Sequence, residues 1–128
     1  MTKKDVVTHW IKSSDDDSVV MDSLFSNGHY SWSLFVGHLV VEKMLKAHYA
    51  KNRDINIPRS HNLSYIAAKS GLPLSDDQVN FLDEVTTFNV DARYTDEKER
   101  FSKKATREFA KKYITEIKEF CKWLKESI

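Results

Sequence analysis

The stretch Tyr30 to Tyr49, YSWSLFVGHLVVEKMLKAHY, constrains the fold more than any other part of the chain. Read as a helix turning about 100° per residue, it places Leu34, Phe35, Val41, Leu45 and Tyr49 on one face, with His38 and Glu42 in their midst. Val36, Val40, Met44 and Ala47 line the opposite face. A helix that is apolar on nearly every side must be covered on two sides. It is therefore the central helix of a bundle or a helix that also meets a second subunit. Wherever Glu42 is buried, its carboxylate needs a partner.

The rest of the sequence supports an all-α reading. Only 3 Gly and 2 Pro punctuate 128 residues, which favours long helices over strands and turns. The apolar period predicts a first helix from about Lys4 to Asn27, closed by Asn27-Gly28, and a second running to about Lys51 as its antiparallel neighbour. After a loop containing Pro58, a short third helix is expected over Asn62 to Ser70, stopped by Gly71-Leu72-Pro73. Ser75-Asp76-Asp77-Gln78 has the form of a capping box and opens a fourth helix ending near Phe88. Asn89 to Arg100 is strongly polar with poor periodicity and reads as a connection. The last helix is predicted over Ser102 to Ser127, with Ala105, Phe109, Tyr113, Ile117, Phe120, Cys121 and Leu124 inward. Lys104, Arg107, Lys111, Lys118, Lys122 and Lys125 fall on its other side. The expected architecture is an up-and-down four-helix bundle with one additional short helix, as a single domain over residues 1–128.

Composition narrows function mainly by exclusion. A net charge of +1 argues against a bulk electrostatic grip on nucleic acid or an anionic membrane, and the lysine stripe of the last helix reads as a solvated face. The lone cysteine, Cys121, rules out an internal disulfide. No apolar run has membrane-spanning length and no signal peptide is evident, so a cytoplasmic protein without a membrane partner is expected. There is no Gly-rich phosphate loop, no G-x-S-x-G, no H-E-x-x-H and no C-x-x-C. The five histidines, His9, His29, His38, His48 and His61, contain no pair four apart, so neither a metal nor another cofactor is expected.

One constellation stands out. His38, Glu42 and Lys46 are successive i,i+4 neighbours, and Asp17 of the first helix shares a side with Trp10, Met21 and Leu24. These four form a candidate polar network that fixes helix register. The alternative is one wall of a cleft whose other wall comes from Arg59, His61 or the tract Arg93-Tyr94-Thr95-Asp96, where arginines can hold a phosphate bidentately.

In this order, the Trp10 helix with Asp17, Gly28-His29-Tyr30, Glu42-Lys43-Met44-Leu45-Lys46, Pro58-Arg59-Ser60-His61-Asn62-Leu63 and Arg93-Tyr94-Thr95-Asp96 resemble the HEPN domain family, over about residues 5 to 125. That family is named for its occurrence in higher eukaryotes and prokaryotes and its association with nucleotide binding. The resemblance implies an all-α bundle, usually a homodimer, often encoded beside a minimal nucleotidyltransferase in a toxin–antitoxin-like pair. On that basis Arg59, His61, Arg93, Tyr94 and Asp96 are candidate contacts to a nucleotide or RNA. Many members are ribonucleases that carry an Arg, four to six intervening residues and a His. Here no histidine follows Arg93 or Arg100, and Arg53 and Arg59 stand eight and two positions before His61. A binding module is thus expected first, and a metal-independent ribonuclease using Arg93 with a displaced acid/base such as His61 second. The dimer face is expected on Val36, Val40, Met44 and Ala47, or on the adjoining part of the first helix.

Overall fold

The computed structural model describes residues 1–91 and 95–128, with the side chains of Val90, Asp91 and Thr95 set aside. Helix α1, Lys3–Ser26, opens with a capping box in which the Asp5 amide donates to the Thr2 hydroxyl and the Thr2 amide to the Asp5 carboxylate, both at 3.1 Å. Asn27 caps its end and Gly28 turns the chain at φ +81°, a conformation that disfavours any side chain. Helix α2, Tyr30–Asn52, then runs back along α1. Midway, the Ser14 hydroxyl donates to the Val40 carbonyl at 2.8 Å.

Helix α3 is short, Leu63–Lys69, with the Asn62 side chain accepting from the Tyr65 amide. Helix α4, Asp76–Asp91, starts at the expected capping box: the Gln78 amide donates to the Ser75 hydroxyl at 3.2 Å, and the Ser75 amide donates to the Gln78 side chain at 2.9 Å. Helices α5, Thr95–Lys104, and α6, Arg107–Lys125, complete the chain. The described residues thus hold two short helices in addition to the four long ones, where the sequence led us to expect one.

Helix α5 lies where a polar connection was expected. Its polar surface hides the period, and Phe101 is its buried anchor. Acidic Asp96 and Glu97 at its start and basic Lys103 and Lys104 at its end complement the helix dipole, and Glu97 pairs with Arg100 at 2.7 Å. Helix α6 starts at Arg107 rather than Ser102 because Thr106 caps it, its hydroxyl accepting from the Phe109 amide at 3.2 Å.

Helix α2 touches all five other helices. Leu34, Val41, Met44, Leu45, Leu82, Val85, Phe88, Ile117 and Leu124 are fully enclosed around it. Each buried aliphatic or aromatic side chain of this kind contributes about 1.5–3 kcal/mol. Gly37 allows the closest approach: a Cβ there would lie 2.8 Å from the Ile117 side chain and 3.2 Å from the Met21 sulfur. The central position expected for α2 is therefore met inside one protomer. Val40, Met44 and Ala47, expected at a dimer face, are buried by the chain's own helices, and Val36 is half-buried. On α1, Val19 and Val20 remain exposed.

Candidate functional site

The stripe His38, Glu42 and Lys46 meets the loop between α2 and α3. One Glu42 oxygen, Oε1, accepts from His61 Nδ1 at 2.7 Å, and the other, Oε2, accepts from the Lys46 ammonium at 3.2 Å. The Glu42 side chain is 6% exposed, so these two partners replace the water it gives up. His38 holds the loop from beneath. Its Nε2 lies 2.9 Å from the His61 carbonyl, which can only accept, so Nε2 carries the proton. His38 Nδ1 is buried with no partner among the described residues. Burial holds the His38 pKa below the ordinary imidazole value, outweighing the opposite pull of the His61 carbonyl and Glu42. His38 Nε2 and Glu42 stand 3.9 Å apart, too far for a hydrogen bond.

The same logic fixes His61. Its Nδ1 donates to a carboxylate, so in the neutral ring Nε2 carries the free lone pair, and the side chain is 59% exposed. An imidazole oriented by a buried carboxylate and open at its far nitrogen can accept or donate a proton at that atom.

Beside this dyad lies a cleft of about 380 Å³ lined by Val6, Trp10, Lys46, Ile55 to Pro58 and Arg59. Lys46 belongs to both features. Its ammonium binds Glu42 and sits 5.3 Å from the centre of the Trp10 ring. The cleft therefore offers the cations of Lys46 and Arg59 around an aromatic face.

Of the residues expected to act together, His38, Glu42, Lys46 and His61 converge, and Arg59 joins Lys46 in the cleft. Asp17 does not join the Glu42 network; its carboxylate takes the Lys43 ammonium at 2.6 Å. The expectation fails by one position. Lys43 follows Glu42 directly and so points about 100° away around the helix, toward α1. The neighbouring acids also have separate partners, Asp15 with Lys125 at 2.8 Å and Asp16 with Lys12 at 3.4 Å. Asp96 is exposed in the first turn of α5 and forms no hydrogen bond or ion pair with Glu42 or His61 among the described residues. Arg93 and Tyr94 lie outside the described residues.

Sequence reasoning placed Trp10 among the apolar positions of α1 and missed it as a cleft wall. The available signal was the antiparallel pairing of α1 and α2, which sets residues early in α1 beside residues late in α2. His48 was also missed as a structural group. The Ser70 hydroxyl donates to the Ala67 carbonyl at 2.8 Å, so at 3.0 Å it accepts from His48 Nδ1. Cys121 is buried, and burial pushes its thiol pKa up to about 12, so no thiolate forms near neutral pH. Among the described residues no three or more metal-ligating side chains cluster, and no helix is long and apolar enough to cross a membrane.

The HEPN domain family model matches residues 7–127, nearly the whole chain. No curated protein and no solved structure matches it.

Proposed function

Because the chain belongs to the HEPN domain family, we propose that it is a binding module for a nucleotide or single-stranded RNA, held through phosphate in the cleft beside His61. The observation that carries this reading is that Lys46, Arg59 and Trp10 line one opening. Arg59 can fork onto a phosphate, Lys46 adds a point charge, and the Trp10 ring offers a stacking face for a base. In this reading Arg93, Tyr94 and Asp96 are further ligand contacts. The family resemblance adds a homodimer and a minimal nucleotidyltransferase as protein partner, in a toxin–antitoxin-like pair, and we place the protein in the cytoplasm.

The test is a titration of a fluorescent oligoribonucleotide and of ATP into wild type and Arg59→Ala, at low and high salt. Binding that weakens about tenfold on substitution, with a reduced salt dependence, is the expected result. Equal affinity of the two proteins removes Arg59 and this cleft from the reading.

The Glu42–His61 hydrogen bond favours a second reading, metal-independent RNA cleavage. His61 Nε2 takes the 2′-hydroxyl proton as that oxygen attacks phosphorus. The P–O5′ bond breaks, a 2′,3′-cyclic phosphate forms, and the departing O5′ takes a proton from water. Arg93 or Arg59 stabilises the phosphorane charge. Incubation with RNA in chelator separates the readings. Cyclic-phosphate ends lost in His61→Ala favour cleavage, and intact RNA that stays bound favours the binding module.

A further inference from the structure

Helices α4 and α6 leave a second opening, away from the Glu42 site. Their backbones are held apart, and aromatic side chains fill the space between them. Phe81 stacks on Tyr113 with ring centres 6.4 Å apart and planes 10° from parallel, and it also meets Phe120 at 5.6 Å. Trp123 continues the row at 5.6 Å from Phe120. Above this floor lies a groove of about 630 Å³. It follows α4 from Asp77 to Glu84 and α6 from Lys112 to Trp123, which at about 1.5 Å per residue is roughly 10 to 16 Å. That length accommodates two to three turns of another helix, at about 5.4 Å per turn.

The rim is predominantly acidic. Asp77, Glu84, Glu116 and Glu119 face a single cation, Lys112, whose ammonium lies 5.4 Å from the centre of the Tyr113 ring. Glu84 takes Lys104 at 3.0 Å. Asp77, Glu116 and Glu119 form no ion pair among the described residues. The Tyr113 hydroxyl registers the same field, its pKa raised by burial first and then by Glu84 and Glu116. On a chain of net charge +1, this is a local concentration of negative potential over an aromatic floor.

We infer that the α4–α6 groove is the docking site for a basic amphipathic helix of a partner protein. Apolar side chains of that helix seat on the rings of Phe81, Tyr113 and Trp123, and its Lys or Arg side chains meet the carboxylate rim. A second copy of this chain is a poor occupant. Two grooves facing each other across a two-fold axis would set four carboxylates against four. The lysine stripe of α6 is already partly spent, since Lys118 holds Asp22 and Lys125 holds Asp15, both at 2.8 Å. A nucleic-acid backbone would be repelled by the rim.

The experiment uses two labelled 18-residue peptides with leucines at i, i+3, i+4 and i+7, one carrying lysine and the other glutamate at the remaining positions. Each is titrated into wild type, into the double variant Asp77→Lys with Glu119→Lys, and into Glu99→Lys with Glu126→Lys as a control of identical net charge. All four sites are exposed, and matching circular-dichroism spectra and urea midpoints are required of both variants before binding is compared, since Asp77 lies in the first turn of α4. The lysine peptide is expected to bind wild type and control alike and the groove variant at least tenfold more weakly, while the glutamate peptide binds none of them. Equal loss in both variants, equal binding of both peptides, or no binding to wild type overturns the inference. So does a wild-type dimer in light scattering that becomes a monomer in the groove variant, because the occupant would then be a second copy.

Discussion

Helix α2 buries 12 of its 23 residues, including His38, Glu42 and His48, whereas α6 buries 6 of 19, all on one apolar face. The two helices pack against each other, so the difference lies in what surrounds them. Helix α2 has neighbours on every side and, between its ends, little solvent-facing surface to which polar groups could turn. Its buried polar groups are therefore matched within the protein, Ser33 with the Tyr30 carbonyl, His38 Nε2 with the His61 carbonyl, Glu42 with His61 and Lys46, and His48 with Ser70, with His38 Nδ1 the exception among the described residues. In α6, Lys111, Lys118, Lys122 and Lys125 are exposed to water, and the pairs that Lys118 and Lys125 form with Asp22 and Asp15 are at the surface. Polar residues in the enclosed helix thus come with a fixed geometry. A candidate site arises there because partners were obligatory.

This contrast can be broken by substitution. The largest effect is expected from Leu45→Ala, which removes a fully enclosed side chain at the centre of α2 and should cost about 2–5 kcal/mol in urea unfolding. A loss below about 1 kcal/mol would mean that α2 is less tightly enclosed than drawn. Next comes Glu42→Ala, which strips Lys46 and His61 of their acceptor and should cost about 1–3 kcal/mol. An unchanged urea midpoint would show that the network carries no stability and would move Glu42 wholly to ligand binding.

A smaller effect concerns pH. His38 and His48 have pKa values lowered by burial, so between their folded values and the unfolded value of about 6.5 the unfolded chain binds more protons. Their contribution is fully present above about pH 6.5 and is lost as pH falls through the folded values. The urea midpoint should decline from pH 7.5 toward pH 5, and less steeply in His48→Gln; a midpoint that rises on acidification contradicts the assignment. Smallest of all is Lys122→Ala on the open face of α6, expected within about 0.5 kcal/mol of wild type.

The two helices also differ in how far the sequence disclosed them. The α6 stripe was legible in part from period, because one buried face leaves a 3.6-residue signal: Ile117, Phe120, Cys121 and Leu124 are buried as expected, whereas Ala110 and Ile114 were missed and Ala105 precedes the helix. For α2 the sequence disclosed enclosure and the i,i+4 stack of His38, Glu42 and Lys46, since both are local. It did not disclose that His61, 19 positions from Glu42, completes the stack, because a loop of irregular backbone decides that. Asp17 went to Lys43 for a related reason, since the rotation of α1 against α2 is a tertiary property. Helix α5 escaped because its surface is almost wholly polar, and only Phe101 anchors it.

The bond between His48 and Ser70 has a consequence for how the molecule opens. Helix α3 has seven residues, too few to persist on its own in water, and its last turn is held from α2. His48 donates to the Ser70 hydroxyl, and Arg53, the residue after α2, donates to the Lys69 carbonyl at 3.2 Å. At its start the Leu63 amide donates to the Thr86 hydroxyl of α4 at 3.1 Å, so the amides of α3 are expected to exchange with solvent only when its holds on α2 and α4 open together, as one cooperative unit.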